Sequence, residues 1–199
     1  MRFTDNEIYH IYNRGNNKQT VFFKRENYLY FLRKVRKHLM PHCGLLAYCL
    51  MPNHFHFLVY TSKNIDGVSK NRPINKEKSQ HPISMAIAVI LRSYTRAIQK
   101  QQNVTGSVFQ QKTKAKALNS SDENYPFICF NYIHQNPMRA GLVKRLEDWE
   151  FSSFRDYAGL RSGTLCNCNL AMQLIGFDEN KFMEESYAVI DEAHIERLW

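Results

Sequence analysis

His54 and His56 sit one residue apart in the run Leu50-Met51-Pro52-Asn53-His54-Phe55-His56-Phe57-Leu58-Val59-Tyr60. The apolar residues around them predict a β-strand. Strand side chains alternate faces with a period of two, so both imidazoles point one way and Phe55 anchors the other face. Two imidazoles on one face are ready ligands for a divalent metal. A lone HxH lacks the further ligands of a full zinc signature, so the same spacing also fits two structural histidines on a half-exposed strand.

A second constellation lies in Asn131-Tyr132-Ile133-His134-Gln135-Asn136-Pro137. Ser120, Ser121 and Asp122 give a helix start signal, and Pro137 is expected to end the helix near the residue before it. On a helix over Asp122 to Gln135, Tyr132 shares one surface with Gln135 and Asn136, three and four residues on. A tyrosine can attack phosphorus as an oxygen nucleophile, and an amide oxygen beside it can complete a metal's coordination. The alternative is a core tyrosine with a capping amide.

The elements that must position these groups are legible from pattern. Glu7 to Asn13 alternates as a first strand, turned by Gly15-Asn16-Asn17, and His10 on it could approach the histidine pair if the strands are neighbours. Tyr28, Leu29, Phe31, Leu32, Val35 and Leu39 recur at helical spacing between Lys24 and His38, ahead of Pro41. Gly44 to Met51 reads as an apolar strand that Met51-Pro52-Asn53 turns into the histidine strand as a hairpin. A second amphipathic helix follows from Ile83, Ile87, Ile90, Leu91, Tyr94 and Ile98, where Tyr94 competes for the nucleophile role but lies on the apolar stripe.

Composition narrows the partners. With 199 residues, 44% of them hydrophobic and 13% aromatic, the chain can bury a full core as one compact domain with an appendage. Lys and Arg outnumber Asp and Glu by 27 to 18, a net charge of +9, which favours a polyanion. No apolar run approaches about 18 residues and no signal peptide is visible, so a cytoplasmic protein with no membrane partner is expected. Five cysteines without a CxxC pair read as reduced thiols, with a loop expected at Cys166-Asn167-Cys168.

Lysine is concentrated in two places. Residues 61–82 carry Lys63, Lys70, Arg72, Lys76 and Lys78 among polar residues and read as a basic loop. From Ser107 to Leu118 a strand is expected with Lys112, Lys114 and Lys116 along one side, suited to a phosphate backbone or, alternatively, to edge protection. Trp149, Phe151, Phe154 and Tyr157 could stack on bases or pack onto the body. Phe177 to Leu198 reads as one acidic amphipathic helix.

Five segments follow one another in a known order: Tyr12-Asn13-Arg14-Gly15-Asn16-Asn17, the Leu50 to Val59 run, Gly106-Ser107-Val108-Phe109-Gln110, the run from Tyr132 through Asn136-Pro137-Met138-Arg139-Ala140-Gly141-Leu142-Val143, and Trp149-Glu150-Phe151-Ser152-Ser153-Phe154. Over Ile8 to Tyr157 the chain resembles the single-tyrosine HUH transposases, and within them the REP-associated tyrosine transposase branch. The resemblance implies an α+β fold, a ferredoxin-like sandwich with a central antiparallel sheet and helices packed on it. It implies a catalytic domain over 1–157, from whose family pattern the basic insertion at 61–82 and an acidic helical extension over 158–199 depart.

By the same resemblance, His54 and His56 bind Mg²⁺ or Mn²⁺, Asn136 or Gln135 is the third ligand, and Tyr132 is the nucleophile. The implied activity is nicking and joining of single-stranded DNA beside hairpins, through a 5′-phosphotyrosine, by a monomer or homodimer. Arg14, Lys112, Lys114, Lys116 and Arg139 are the candidate DNA contacts. The other classes are a tyrosine HUH nuclease of replication or plasmid relaxation, and a non-catalytic nucleic-acid binding module.

Overall fold

The computed structural model describes residues 1–62, 81–118 and 124–198. The basic run over residues 63–80 and the helix start signal at residues 120–122 lie outside them. Four strands, β1 (Ile8–Arg14), β2 (Gly44–Met51), β3 (His54–Tyr60) and β4 (Lys114–Ala117), form one antiparallel sheet in the order β2-β3-β1-β4. The β2-β3 hairpin turns through Pro52-Asn53 as expected, which starts the histidine strand directly after a tight turn. Gly15 ties the end of β1 to that turn, its N–H donating to the Asn53 carbonyl at 2.7 Å. A Cβ there would lie 2.3 Å from the Gln19 carbonyl oxygen, so only glycine allows the close approach.

One face of the sheet packs on α1 (Arg25–His38) and α2 (Pro82–Gln102). Phe31 from α1 meets the rings of Phe55 and Phe57 at 5.3 and 6.2 Å, and Ile83, Ile87, Ile90 and Ile98 from α2 close the same core. Each such side chain contributes about 1.5–3 kcal/mol through burial. Tyr94 belongs to this core: it is fully buried and its hydroxyl donates to the Val21 carbonyl at 2.7 Å, which makes it a packing residue.

The other face packs on α3 (Tyr125–Arg139), whose Cys129, Phe130 and Ile133 meet Leu46, Ala47, Cys49 and Leu58. Four short helices complete this layer: α4 (Phe154–Tyr157), α5 (Cys168–Ile175), α6 (Phe182–Ser186) and α7 (Glu192–Glu196). Residues beyond 157 reach both cores, Leu165 and Cys166 on the α1/α2 side and Phe177, Phe182, Ile195 and Leu198 on the α3 side.

Several expectations are corrected. Helix α3 does not end before Pro137 but runs to Arg139. The proline removes one N–H, and the last turn is closed by Ala140 N–H to Asn136 and Leu142 N–H to Pro137. The lysine strand is only Lys114–Ala117, because Val108 and Phe109 leave the sheet to enter the α1/α2 core, so Lys112 sits exposed in a loop. Residues 177–198 form separate short turns rather than one helix; the break between α6 and α7 is held by Gln135, whose amide donates to the Ser186 and Ala188 carbonyls. Cys168 opens a helix capped by the Asn167 side chain. Strand β1 is buried on both faces rather than alternating with solvent. Of the two expectations for the late aromatics, packing onto the body is the one that holds: Trp149 Nε1 donates to the Leu50 carbonyl and Phe151 stacks on Tyr28 at 3.8 Å.

Candidate active site

On the α3 face, the strand register places the chemistry in a small patch. His54 and His56 project from β3, with Arg14 opposite His54 and Tyr12 opposite His56 on β1. On β4, Lys114 stands opposite Tyr12 and Lys116 opposite His10. Because partners across a ladder share a face, His10, Tyr12, Arg14, His54, His56, Lys114 and Lys116 all face α3.

Tyr132 reaches this patch from α3. Its ring meets that of His56 edge-on, with centroids 5.8 Å apart. One turn later, the Asn136 amide nitrogen donates to the Tyr132 carbonyl at 3.2 Å, and its side chain is also hydrogen-bonded to His54. Asn136 therefore links the tyrosine helix to the first histidine. Gln135 is turned toward the C-terminal segment by its bonds to the Ser186 and Ala188 carbonyls.

Both histidines have one nitrogen committed. His54 Nδ1 donates to Asn53 Oδ1 at 2.5 Å, and His56 Nδ1 lies 2.8 Å from His10 Nε2, sharing a hydrogen bond with it. With Nδ1 so engaged, Nε2 is the nitrogen either ring could offer a metal, and the His54 ring is bonded to the Asn136 side chain as well. Burial, reinforced by Arg14, lowers the His54 pKa to about 4, with the Asn136 bond partly opposing. Burial holds His56 well below the ordinary histidine range, and the neighbouring His54, His10 and Arg14 add to it. Two neutral imidazoles plus an amide make a donor set that suits an exchangeable hard or borderline cation such as Mg²⁺ or Mn²⁺. Among the described residues no three His, Cys, Asp or Glu side chains gather as a metal cluster, and the polar side chain bonded to His54 from α3 is the Asn136 amide.

The predicted DNA contacts divide. Arg14 lies close enough to both histidines to depress their protonation. Lys114 and Lys116 border the patch, and the Lys116 ammonium stands 5.7 Å from the Tyr125 ring centre. Lys112 is outside the sheet, and Arg139 pairs with Glu192 at 2.5 Å. The structure also supplies groups that sequence reasoning missed. Tyr12 is a second phenol on the patch, its ring 6.1 Å from His56 and 4.7 Å from His10, and its place two residues after His10 on a strand was the available signal.

A cleft of about 250 Å³ lies elsewhere, between α1 and residues 161–165. Two of its three arginines are engaged with neighbouring side chains, Arg161 with Asp156 and Arg36 with Thr164. Among the described residues no helix is long and apolar enough to cross a membrane.

No protein-family model and no curated protein matches the chain. Among solved structures, the chain is similar to a REP-associated tyrosine transposase bound to a REP hairpin, with a TM-score of 0.56 at 19% identity, over 84% of this chain and 92% of that one. At that identity the likeness establishes the fold: an α+β sandwich with one four-stranded antiparallel sheet and helices packed against it.

Proposed function

We propose that the chain is a metal-dependent nuclease and strand transferase for single-stranded DNA, acting through a covalent tyrosine intermediate beside a hairpin. The observation that carries this is the convergence of Tyr132, His54, His56 and Asn136 from α3 and β3 on one buried patch. The likeness of the fold to a hairpin-bound tyrosine transposase supports the substrate class.

In this reading His54 and His56, with Asn136 as third donor, hold Mg²⁺ or Mn²⁺, which supplies Lewis-acid polarisation of the scissile phosphate and charge stabilisation at the leaving oxygen. Gln135 is the less favoured third donor, since its amide is engaged by the C-terminal segment. The Tyr132 oxygen loses its proton and forms the new bond to phosphorus, while the bond from phosphorus to the 3′-oxygen breaks and that oxygen leaves as a hydroxyl. The DNA 5′-phosphate stays esterified to Tyr132. Because the number of ester bonds is unchanged, another 3′-hydroxyl can attack the phosphotyrosine and join a different strand. Arg14, Lys114 and Lys116 border the patch and would hold backbone phosphates, steepening the salt dependence of binding.

A second reading gives the nucleophile role to Tyr12, because its ring is about as near to His56 as that of Tyr132. Denaturing gel electrophoresis after mixing the protein with a labelled single-stranded hairpin pool and Mn²⁺ separates them. A surviving protein–DNA band that vanishes in Tyr132→Phe, persists in Tyr12→Phe and requires metal is the expected result. Loss in Tyr12→Phe alone would transfer the role to Tyr12. No band in any variant, with salt-sensitive DNA binding intact, would make the chain a binding module.

A further inference from the structure

His10 is fully buried on β1 and stands outside the ligand set proposed above, yet its Nε2 lies 2.8 Å from His56 Nδ1. The two ring planes are within 16° of each other and their centroids are 5.1 Å apart. That separation is as long as the N···N contact plus the two ring radii, so the hydrogen bond runs in line with the lone pair, in the plane of both rings. Such alignment is what a strong directional bond requires, and simple ring packing does not impose it.

We propose that His10 is a positioning residue: it accepts a hydrogen bond from His56 Nδ1 and thereby holds His56 as the tautomer whose Nε2 lone pair faces a divalent cation. The inference rests on the metal-dependent reading of the site. A neutral imidazole carries one hydrogen on one of two nitrogens, and the partner at one nitrogen fixes which. His56 can offer Nε2 to a metal only if its hydrogen is on Nδ1, and His10 Nε2 is the acceptor placed there. His54 is handled the same way by a different group, the Asn53 amide oxygen from the hairpin turn. The two ligands are thus oriented independently, one by its own turn and one across the sheet from β1, 46 residues away in the chain. Outer partners of this kind typically change metal affinity about 10–100-fold when removed.

Strand pairing explains why the acceptor comes from position 10. His56 pairs with Tyr12 across the ladder, so His10 is its diagonal neighbour on the same face, within reach of a long planar side chain. A carboxylate at this fully buried position would carry a desolvated charge, whereas a neutral imidazole accepts the same bond without one.

The test uses the full chain and Mn²⁺ alone, without DNA, by titration calorimetry, together with ¹⁵N chemical shifts of the His56 ring. Wild type is expected to show His56 protonated at Nδ1. His10→Leu should lose that tautomer preference and bind Mn²⁺ about 10-fold or more weakly. His10→Gln, which offers an amide oxygen as acceptor, should recover most of the affinity and the tautomer. A wild-type His56 protonated at Nε2, or a His10→Leu protein with unchanged Mn²⁺ affinity, would overturn the assignment, as would His10→Gln behaving like His10→Leu while remaining folded. Failure of the underlying reading looks different: wild type would take up no Mn²⁺ although His56 still carried its hydrogen on Nδ1, and the role for His10 would fall with it.

Discussion

Strand β3 supplies both faces of the sheet, and its alternate residues have opposite chemistry. Phe55, Phe57 and Val59 enter the α1/α2 core, whereas His54 and His56 face α3, followed by Leu58. The first face is held mainly by burial, with rings packed on rings. The second buries polar groups, which is costly without partners, and the residues of the patch bond one another: His54 with Asn53, His56 with His10, and Asn136 with the Tyr132 carbonyl. The comparison teaches that the apolar face fixes the register, and the register then delivers the reactive face. A slip of one residue would send the histidines into the phenylalanine core, which is why the bulk of Phe55 and Phe57 guards the site without touching it.

The sharpest way to break this division is to damage one face and watch the other. Phe57→Ala should cost about 3–5 kcal/mol of stability, read from urea unfolding, while the protein that remains folded in the cold keeps its capacity for covalent adduct formation. His54→Ala should do the reverse, abolishing adduct formation with a much smaller loss of stability. Equal effects of both changes on both measurements would show that the faces are not separable.

The polar face should also be the acid-sensitive one. His10 and His134 are held neutral by burial with pKa values of about 3, and His54 at about 4. A depressed histidine pKa gives stability that is complete above the unfolded value near 6.5 and is lost as pH falls toward the folded value, because the unfolded chain binds the proton first. Urea midpoints should therefore drop between pH 6.5 and about 5, above the carboxylate range, with a slope of up to about 1.4 kcal/mol per pH unit for each such histidine. A flat profile there would contradict the neutral, buried rings. His134 donates to or accepts from the Ser153 hydroxyl at 2.8 Å, outside the patch, so His134→Gln should flatten the profile while sparing adduct formation.

The smallest effect is expected at the rim. Lys114→Ala and Lys116→Ala should each lower the slope of log affinity for single-stranded DNA against log salt by roughly 0.7, without changing the thermal midpoint. Lys112→Ala, displaced into the loop after Phe109, should have the weaker effect of the three. If Lys112 instead dominated, the DNA path would follow the loop rather than β4.

Much of this arrangement is local and therefore legible in residue order. Period two places His54 and His56 on one face, apolar runs bounded by turn residues mark Gly44–Met51 and the strand after Asn53, and helical spacing marks Arg25–His38 nearly to the residue. Residue order does not separate Asn136 from Gln135 as candidate third donor, because both lie on the surface shared with Tyr132, and it is the packing of α6 against α3 that engages the Gln135 amide. Pro137 was misleading for a related reason: propensity predicts a stop, but burial of α3 against the sheet carries the helix through.

What the sequence determined by itself is the set of candidate reactive groups and the faces they occupy, since both follow from residue type and backbone periodicity over a few residues. What only the tertiary structure decided is which groups meet. The contact of His10 with His56, the approach of Tyr12 and the docking of Tyr132 over the sheet depend on pairing and packing between residues 44 to 76 apart in the chain. Strand register and helix docking are set by how the whole core fills space, and no short stretch of residues contains that information.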